Sequence, residues 1–165
     1  MQGRFFWEKR TEEGFKKALD FFEQAIAKDP SYALAYVGLA DTYGTLIGYG
    51  FIPAEETIPK IKALLKKALD IDGELAEADV LLALITYNYD WDWEGAGKRF
   101  ELALQLNPNY VYAHLWYGIY LANKGQIDKA MERLKRAYEL DPLNIVANYG
   151  FGPMNVLARR EGSAF

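Results

Sequence analysis

Few side chains in this sequence could do chemistry, and one of them is unique. His114 is the only histidine among 165 residues, and there is no cysteine. The absence of cysteine excludes disulfides, thiol catalysis and thiolate metal sites. Val111 and Tyr117 share helical spacing with His114, which predicts a packed or hydrogen-bonded core histidine. One histidine in that setting does not support a Ser–His–Asp arrangement.

A small acidic cluster is the strongest candidate for metal binding. The carboxylates of Asp90, Asp92 and Glu94 could hold Ca²⁺ or Mg²⁺, but their spacing does not continue into a twelve-residue calcium loop. Helix capping explains Asp92 without a metal. Trp91 and Trp93 are expected to pin the enlarged turn of this repeat, and an exposed tryptophan there could contact a partner.

A glycine-rich stretch, with glycines at 44, 48 and 50, is the nearest approach to a phosphate loop. Such a loop needs a preceding strand and a following Lys-Ser/Thr, and the sequence has neither. We therefore expect a flexible insertion between two helices. With no nucleophile–base pair, metal cluster or cofactor loop, the sequence predicts no enzyme activity and no cofactor.

Composition narrows the class of protein further. Hydrophobic residues make up 51% of the chain and charged residues 25%, which is typical of a folded domain. The net charge of −4 argues against general nucleic-acid binding, which needs clustered cations. No apolar run approaches the roughly 18 residues of a membrane span. We expect a cytoplasmic location, or a periplasmic one if the parent protein has a membrane span.

The elements that carry these residues repeat along the chain. Each of four segments has three residues at positions i, i+4 and i+7, which places them on one helix face. The sets are Ala18/Phe22/Ala25, Ile61/Leu65/Ala68, Ala96/Phe100/Ala103 and Ala130/Leu134/Ala137. Small, large and small residues on that face permit close approach of a neighbouring helix.

A second marker follows the same period. A large residue followed by a small one recurs at Ala40, Ala83, Gly118 and Gly152, in steps of 43, 35 and 34 residues. The Pro or Gly that follows each of the four triplets advances by the same steps. These residues are Pro30, Gly73, Pro108 and Pro142. Two independent markers therefore indicate one register of helix pairs.

A helix–turn–helix period of about 34 residues resembles the tetratricopeptide repeat family. In the best copy, Val111–Asn144, the matching residues are Tyr117, Gly118, Leu121, Gly125, Ala130, Leu134, Ala137 and Pro142. The chain departs from the family pattern at Gly73 and Ile61 and in about nine extra residues in the first full repeat. The segments Gly3–Trp7 and Tyr89–Trp93 look similar to arrays of bacterial signalling proteins, where such repeats are joined to cyclase, kinase or winged-helix domains.

The resemblance implies an all-α, right-handed solenoid of about nine helices. The predicted units are a partial repeat at 3–32, a repeat with an insertion at 33–75, repeats at 76–110 and 111–144, and a terminal or capping helix at 145–161. Thr11 and Asp92 are predicted N-caps, and Gly125 a left-handed helix stop. Pro53 suits a first helical position. Pro59 either restarts that helix or bends it.

In this family the inner helices line a concave groove, which implies a set of partner-binding residues. They are Leu34, Val37, Asp41, Val80, Leu84, Tyr87, Asn88, Tyr112, Leu115, Ile119 and Asn123, extended by Trp7, Val146 and Tyr149 at the ends. The surface is apolar and bears tyrosines, which are common at binding hot spots. Because these faces offer no Lys or Arg, a clamp for a peptide's terminal carboxylate is not expected.

These expectations favour a protein-interaction scaffold that binds a peptide or partner segment in an apolar groove, as part of a larger regulatory protein. The alternative is a structural spacer or self-assembly segment, since the terminal repeats leave apolar faces open for homo-oligomer formation. The fold alone does not decide between them.

Overall fold

The computed structural model describes residues 2–143, which form eight α-helices and no strand. The predicted all-α fold is confirmed, and the ninth helix predicted around 145–160 lies outside the described residues. The helices are α1 (Gln2–Glu8), α2 (Glu12–Lys28), α3 (Ala33–Gly48), α4 (Ala54–Ile71), α5 (Ala76–Asn88), α6 (Trp93–Leu106), α7 (Val111–Asn123) and α8 (Ile127–Leu140). We call the odd-numbered helices inner and the even-numbered helices outer. None of the eight is long and apolar enough to cross a membrane.

The chain divides into two compact units, Met1–Ile85 and Thr86–Phe165. In the first unit, Phe22 of α2 is buried against two glycines of neighbouring inner helices. A Cβ atom added to Gly38 would come within 2.3 Å of the Phe22 ring, and one added to Gly3 within 2.9 Å. The absence of a side chain at both positions is therefore what lets α1, α2 and α3 meet.

The second helix pair extends this core. Ile61, Leu65 and Ala68 of α4 are buried in one apolar cluster with Val37 and Ala40 of α3. These three residues are the predicted triplet, so the i, i+4, i+7 pattern does mark the buried face of the helix.

The second unit repeats the arrangement with different residues. Phe100 of α6 is fully buried and stacks on Tyr117 of α7, with ring centroids 5.5 Å apart. Leu134 of α8 packs so closely on Gly118 that a Cβ there would lie 2.7 Å from the leucine Cγ. The large side chain of each outer-helix triplet therefore packs against an inner helix.

Local chemistry sets the helix ends as the sequence indicates. Thr11 Oγ1 accepts a hydrogen bond from the Gly14 amide at 3.0 Å, and Asp92 Oδ1 accepts one from the Gly95 amide at 2.8 Å. Both predicted N-caps are confirmed. Gly125 has φ +74°, the left-handed conformation expected of a helix stop.

The extra residues of the first full repeat mostly lengthen its helices. Helices α3 and α4 have 16 and 18 residues, against 13 and 14 in each of the two following pairs. Gly44 and Gly48 belong to α3, so the prediction of a flexible insertion is wrong at these two glycines. The segment between α3 and α4 consists only of residues 49–53. Pro53 occupies the N-cap position that precedes α4, not the first helical position. Pro59 lies inside α4, which is one continuous helix.

The short connection after α3 contacts α2 through two aromatic rings that remain about half exposed. The rings of Tyr49 and Phe51 are stacked on each other, with centroids 5.9 Å apart. Both also contact Phe15 of α2, at 5.5 and 6.5 Å, and Phe15 is fully buried. These two aromatic rings therefore fix the connection to α2.

Substitution of Gly38 by alanine tests the close approach of α2 and α3. Overpacking against Phe22 is expected to outweigh the roughly 1 kcal/mol gain in helix propensity, lowering the free energy of unfolding by about 1 to 2 kcal/mol. Gly44→Ala is the matched control on the same helix, because a Cβ there meets nothing within 4 Å. It should raise stability by up to about 1 kcal/mol in the same denaturant titration. Equal effects of the two substitutions would contradict the packing role of Gly38.

Candidate partner-binding surface

In the first unit, the predicted groove residues differ in their access to solvent. Leu34 is 40% exposed, whereas Val37 and Val80 are only 4% and 2% exposed. Asp41 and Leu84 lie between these extremes. The two valines are therefore core residues, whereas Leu34, Asp41 and Leu84 retain access to solvent.

An open pocket of about 200 Å³ adjoins these residues. Its lining combines apolar residues with two charged ones. The lining residues are Arg4, Phe22, Leu34, Val37, Gly38 and Glu77. Sequence reasoning missed Arg4, because it considered cations on the complete inner helices only and α1 has just seven residues.

Arg4 belongs to a polar cluster between α1 and α3. Its Nη1 donates to Asp41 Oδ2 at 3.0 Å, and its guanidinium lies 5.0 Å from the centroid of the Trp7 ring. Trp7 Nε1 donates to Thr45 Oγ1 at 3.1 Å. The sequence separations of these two hydrogen-bonded pairs are 37 and 38, so one helical register produces both.

The charge of Asp41 is partly compensated within this cluster. Burial raises the pKa of the Asp41 carboxyl, while the positive charges of Arg4 and Arg10 oppose that rise. Because Arg4 is ion-paired with Asp41, it is not an isolated cation that would attract a carboxylate.

In the second unit, the predicted residues form a mixed aromatic and amide surface. Asn123 Nδ2 donates to Tyr87 Oη at 2.7 Å, which joins the ends of α5 and α7. Asn88 and Asn123 are exposed, and Tyr87, Tyr112 and Ile119 are half-buried. Leu115 is fully buried and supports the others from the core.

The two tryptophans near the start of α6 have different roles. Trp93 packs against Tyr87 and Tyr120, with ring centroids 4.8 and 6.2 Å apart. Trp91 is 74% exposed and has φ +57°. Trp93 therefore pins the turn as predicted, but the same prediction is wrong for Trp91, which projects toward solvent.

Other candidates for chemistry have structural roles. His114 is buried, with Nε2 2.9 Å from the Pro108 carbonyl oxygen, which confirms the predicted core histidine. Burial, with a hydrogen bond to Glu101, raises the pKa of Tyr117 to about 12. Within residues 2–143, no group of three His, Asp or Glu side chains is arranged to hold a metal ion.

At the ends of the predicted groove, only the first position is described. Trp7 is 4% exposed and is therefore part of the core. Val146 and Tyr149 lie outside the described residues.

Comparison with known proteins finds a tetratricopeptide repeat in part of the chain and solved structures with a similar fold. Residues 100–132 match the family model described as tetratricopeptide repeat. A tetratricopeptide-repeat protein of Thermus thermophilus superposes with a TM-score of 0.69 at 17% identity, covering 86% of this chain and 73% of that one. YrrB, described as a TPR protein with an unusual peptide-binding site, gives a TM-score of 0.52 at 25% identity, covering 89% and 71%.

A relative in sequence is the transcriptional regulator HilA of Salmonella typhimurium. The two are 24% identical over 147 residues, which is 89% of this chain. The chain spans only 26% of the length of this relative.

The different environments of the two tryptophans can be tested by truncation. Trp93→Ala removes the contacts with Tyr87 and Tyr120 and should lower the free energy of unfolding by about 2 kcal/mol or more. Trp91→Ala, two residues earlier, should change it by less than about 0.5 kcal/mol. Both values come from denaturant titrations followed by circular dichroism. A large loss with Trp91→Ala would contradict its exposed position.

Proposed function

We propose that this chain, whose repeats and fold are similar to those of tetratricopeptide-repeat proteins, is a protein-interaction scaffold whose inner helices bind a peptide or an extended partner segment. The array would be one part of a larger regulatory protein, a role consistent with the name of its relative HilA. Any catalysis by that parent protein would reside in other domains. The peptide-binding description of YrrB supports the same use of this fold.

The contrast between inner and outer helices carries this proposal. Helix α7 contains no Asp, Glu, Lys or Arg, yet Tyr112, Ile119 and Asn123 retain solvent access. Its partner α8 exposes charges instead, at Asp128, Lys129, Glu132, Lys135, Arg136 and Glu139. A soluble array has no need of an uncharged accessible strip for packing alone, so the strip is suited to a partner.

The side chains of this strip define what it can recognise. Tyrosine offers a large contact area with few torsions to freeze, and Ile119 adds apolar area. The amide oxygen of Asn123 can accept from a backbone N–H of an extended peptide, while its Nδ2 donates to Tyr87 Oη. Affinity would come from apolar burial and amide hydrogen bonds, and would therefore depend weakly on salt.

A matched pair of tyrosine variants tests the proposal. Peptides selected from a random display library on the wild-type protein would be measured by calorimetry against Tyr112→Ala and Tyr138→Ala. Tyr112 lies on inner helix α7, whereas Tyr138 lies on outer helix α8 and is 41% exposed. We expect Tyr112→Ala to weaken binding about tenfold, or about 1.4 kcal/mol, and Tyr138→Ala to leave it unchanged.

Three further results would count against the proposal. They are selection of no peptide, equal effects of the two variants, or a loss of affinity of more than about tenfold in high salt. Light scattering across concentration detects the alternative of self-assembly, and DNA and RNA oligonucleotides in the same calorimetry detect a nucleic-acid partner. Circular dichroism of both variants excludes unfolding as the cause.

A further inference from the structure

His114 occupies a position that recurs in another inner helix. Tyr36 is the fourth residue of α3, and its Oη donates to the Pro30 carbonyl oxygen at 3.1 Å. His114 is the fourth residue of α7, and its Nε2 lies 2.9 Å from the Pro108 carbonyl oxygen. Each side chain reaches six residues back, to the proline that follows the preceding outer helix. Both therefore join an inner helix to the turn before it.

The histidine differs from the tyrosine in having a second polar atom. His114 is 4% exposed, and its Nδ1 is buried without a hydrogen-bond partner. In the neutral ring, Nε2–H donates to Pro108 and Nδ1 carries a lone pair. Protonation at Nδ1 would create an N–H group without a hydrogen-bond acceptor. It would also place a positive charge where water does not solvate it. A buried polar group left unpaired destabilises the folded state, and a buried unpaired charge destabilises it more.

The charged groups around His114 do not favour protonation. From α8, Arg133 and Arg136 face the ring with the same sign, and Glu132 is the opposing carboxylate. From α6, Glu101 accepts a hydrogen bond from Tyr117. Burial and the two arginines lower the pKa of His114, against the opposite effects of the Pro108 carbonyl and Glu132.

We propose that His114 makes the α7–α8 helix pair acid-sensitive, because its protonation places a charge and an unpaired Nδ1–H group in the core beside α8. Such acid sensitivity would regulate the stability of the fold and does not depend on the proposed peptide partner. Because the group is held neutral in the folded state, its contribution to stability is complete above the unfolded pKa of about 6.5. That contribution is lost as the pH falls through the folded pKa, since the unfolded chain binds the proton first.

Wild-type protein and His114→Tyr would be compared by denaturant unfolding at about pH 7.5 and about pH 5.5. Tyrosine does not titrate in this range, and Tyr36 shows that it can form the same hydrogen bond in this register. We expect the folding equilibrium constant of the wild type to fall by up to roughly tenfold per pH unit relative to the variant. Carboxylates common to both proteins, including Asp41, cancel in the comparison.

Because His114 is the only histidine, its imidazole proton signal can be followed directly by NMR. We expect a folded pKa below about 6.5. A folded pKa at or above that value would overturn the proposal, as would identical pH dependence in the two proteins. If His114→Tyr fails to fold, His114→Gln replaces it, because the glutamine amide can donate to Pro108 and does not titrate.

Discussion

Close contact between a large outer-helix side chain and an inner-helix residue without a side chain is the constraint on which this structure depends. Phe22 lies against Gly3 and Gly38, and Leu134 against Gly118. Each contact fixes how near two helices come and therefore which inner-helix residues remain accessible. Protein interiors are close-packed, so an added methyl group at these positions has no space. The accessible strip of α7 is thus a consequence of packing on its opposite side.

Much of this arrangement could be predicted, because the small–large–small spacing records a physical requirement. The triplets of α4, α6 and α8 are buried as their i, i+4, i+7 spacing indicates, and Thr11, Asp92 and Gly125 end helices as their chemistry favours. The lengthening of α3 and α4 could not be predicted from the same pattern. Glycines at 44 and 48 indicate a break by propensity, but the packing of α3 on α4 overrides that local preference.

The candidate surface was less predictable than the fold, because helical spacing gives the direction of a side chain but not its depth. Val37, Val80 and Leu115 have the spacing of groove residues and lie in the core. Arg4 was missed because its contribution comes from the short α1, whose register with α3 becomes visible only in the Arg4–Asp41 and Trp7–Thr45 contacts. Trp91 and Trp93 are two residues apart, but Trp91 has a positive φ and an exposed ring whereas the Trp93 ring is packed, a difference that residue type and spacing do not give.

The contacts of α1 have a consequence for local opening of the first unit. Arg4 and Trp7 are hydrogen-bonded to Asp41 and Thr45 of α3, and Gly3 lies against Phe22 of α2. When α3 opens, α1 therefore loses the partners of both hydrogen bonds. We expect the amide hydrogens of α1 to exchange with solvent at least as fast as those of α3, because local openings expose contiguous cooperative units.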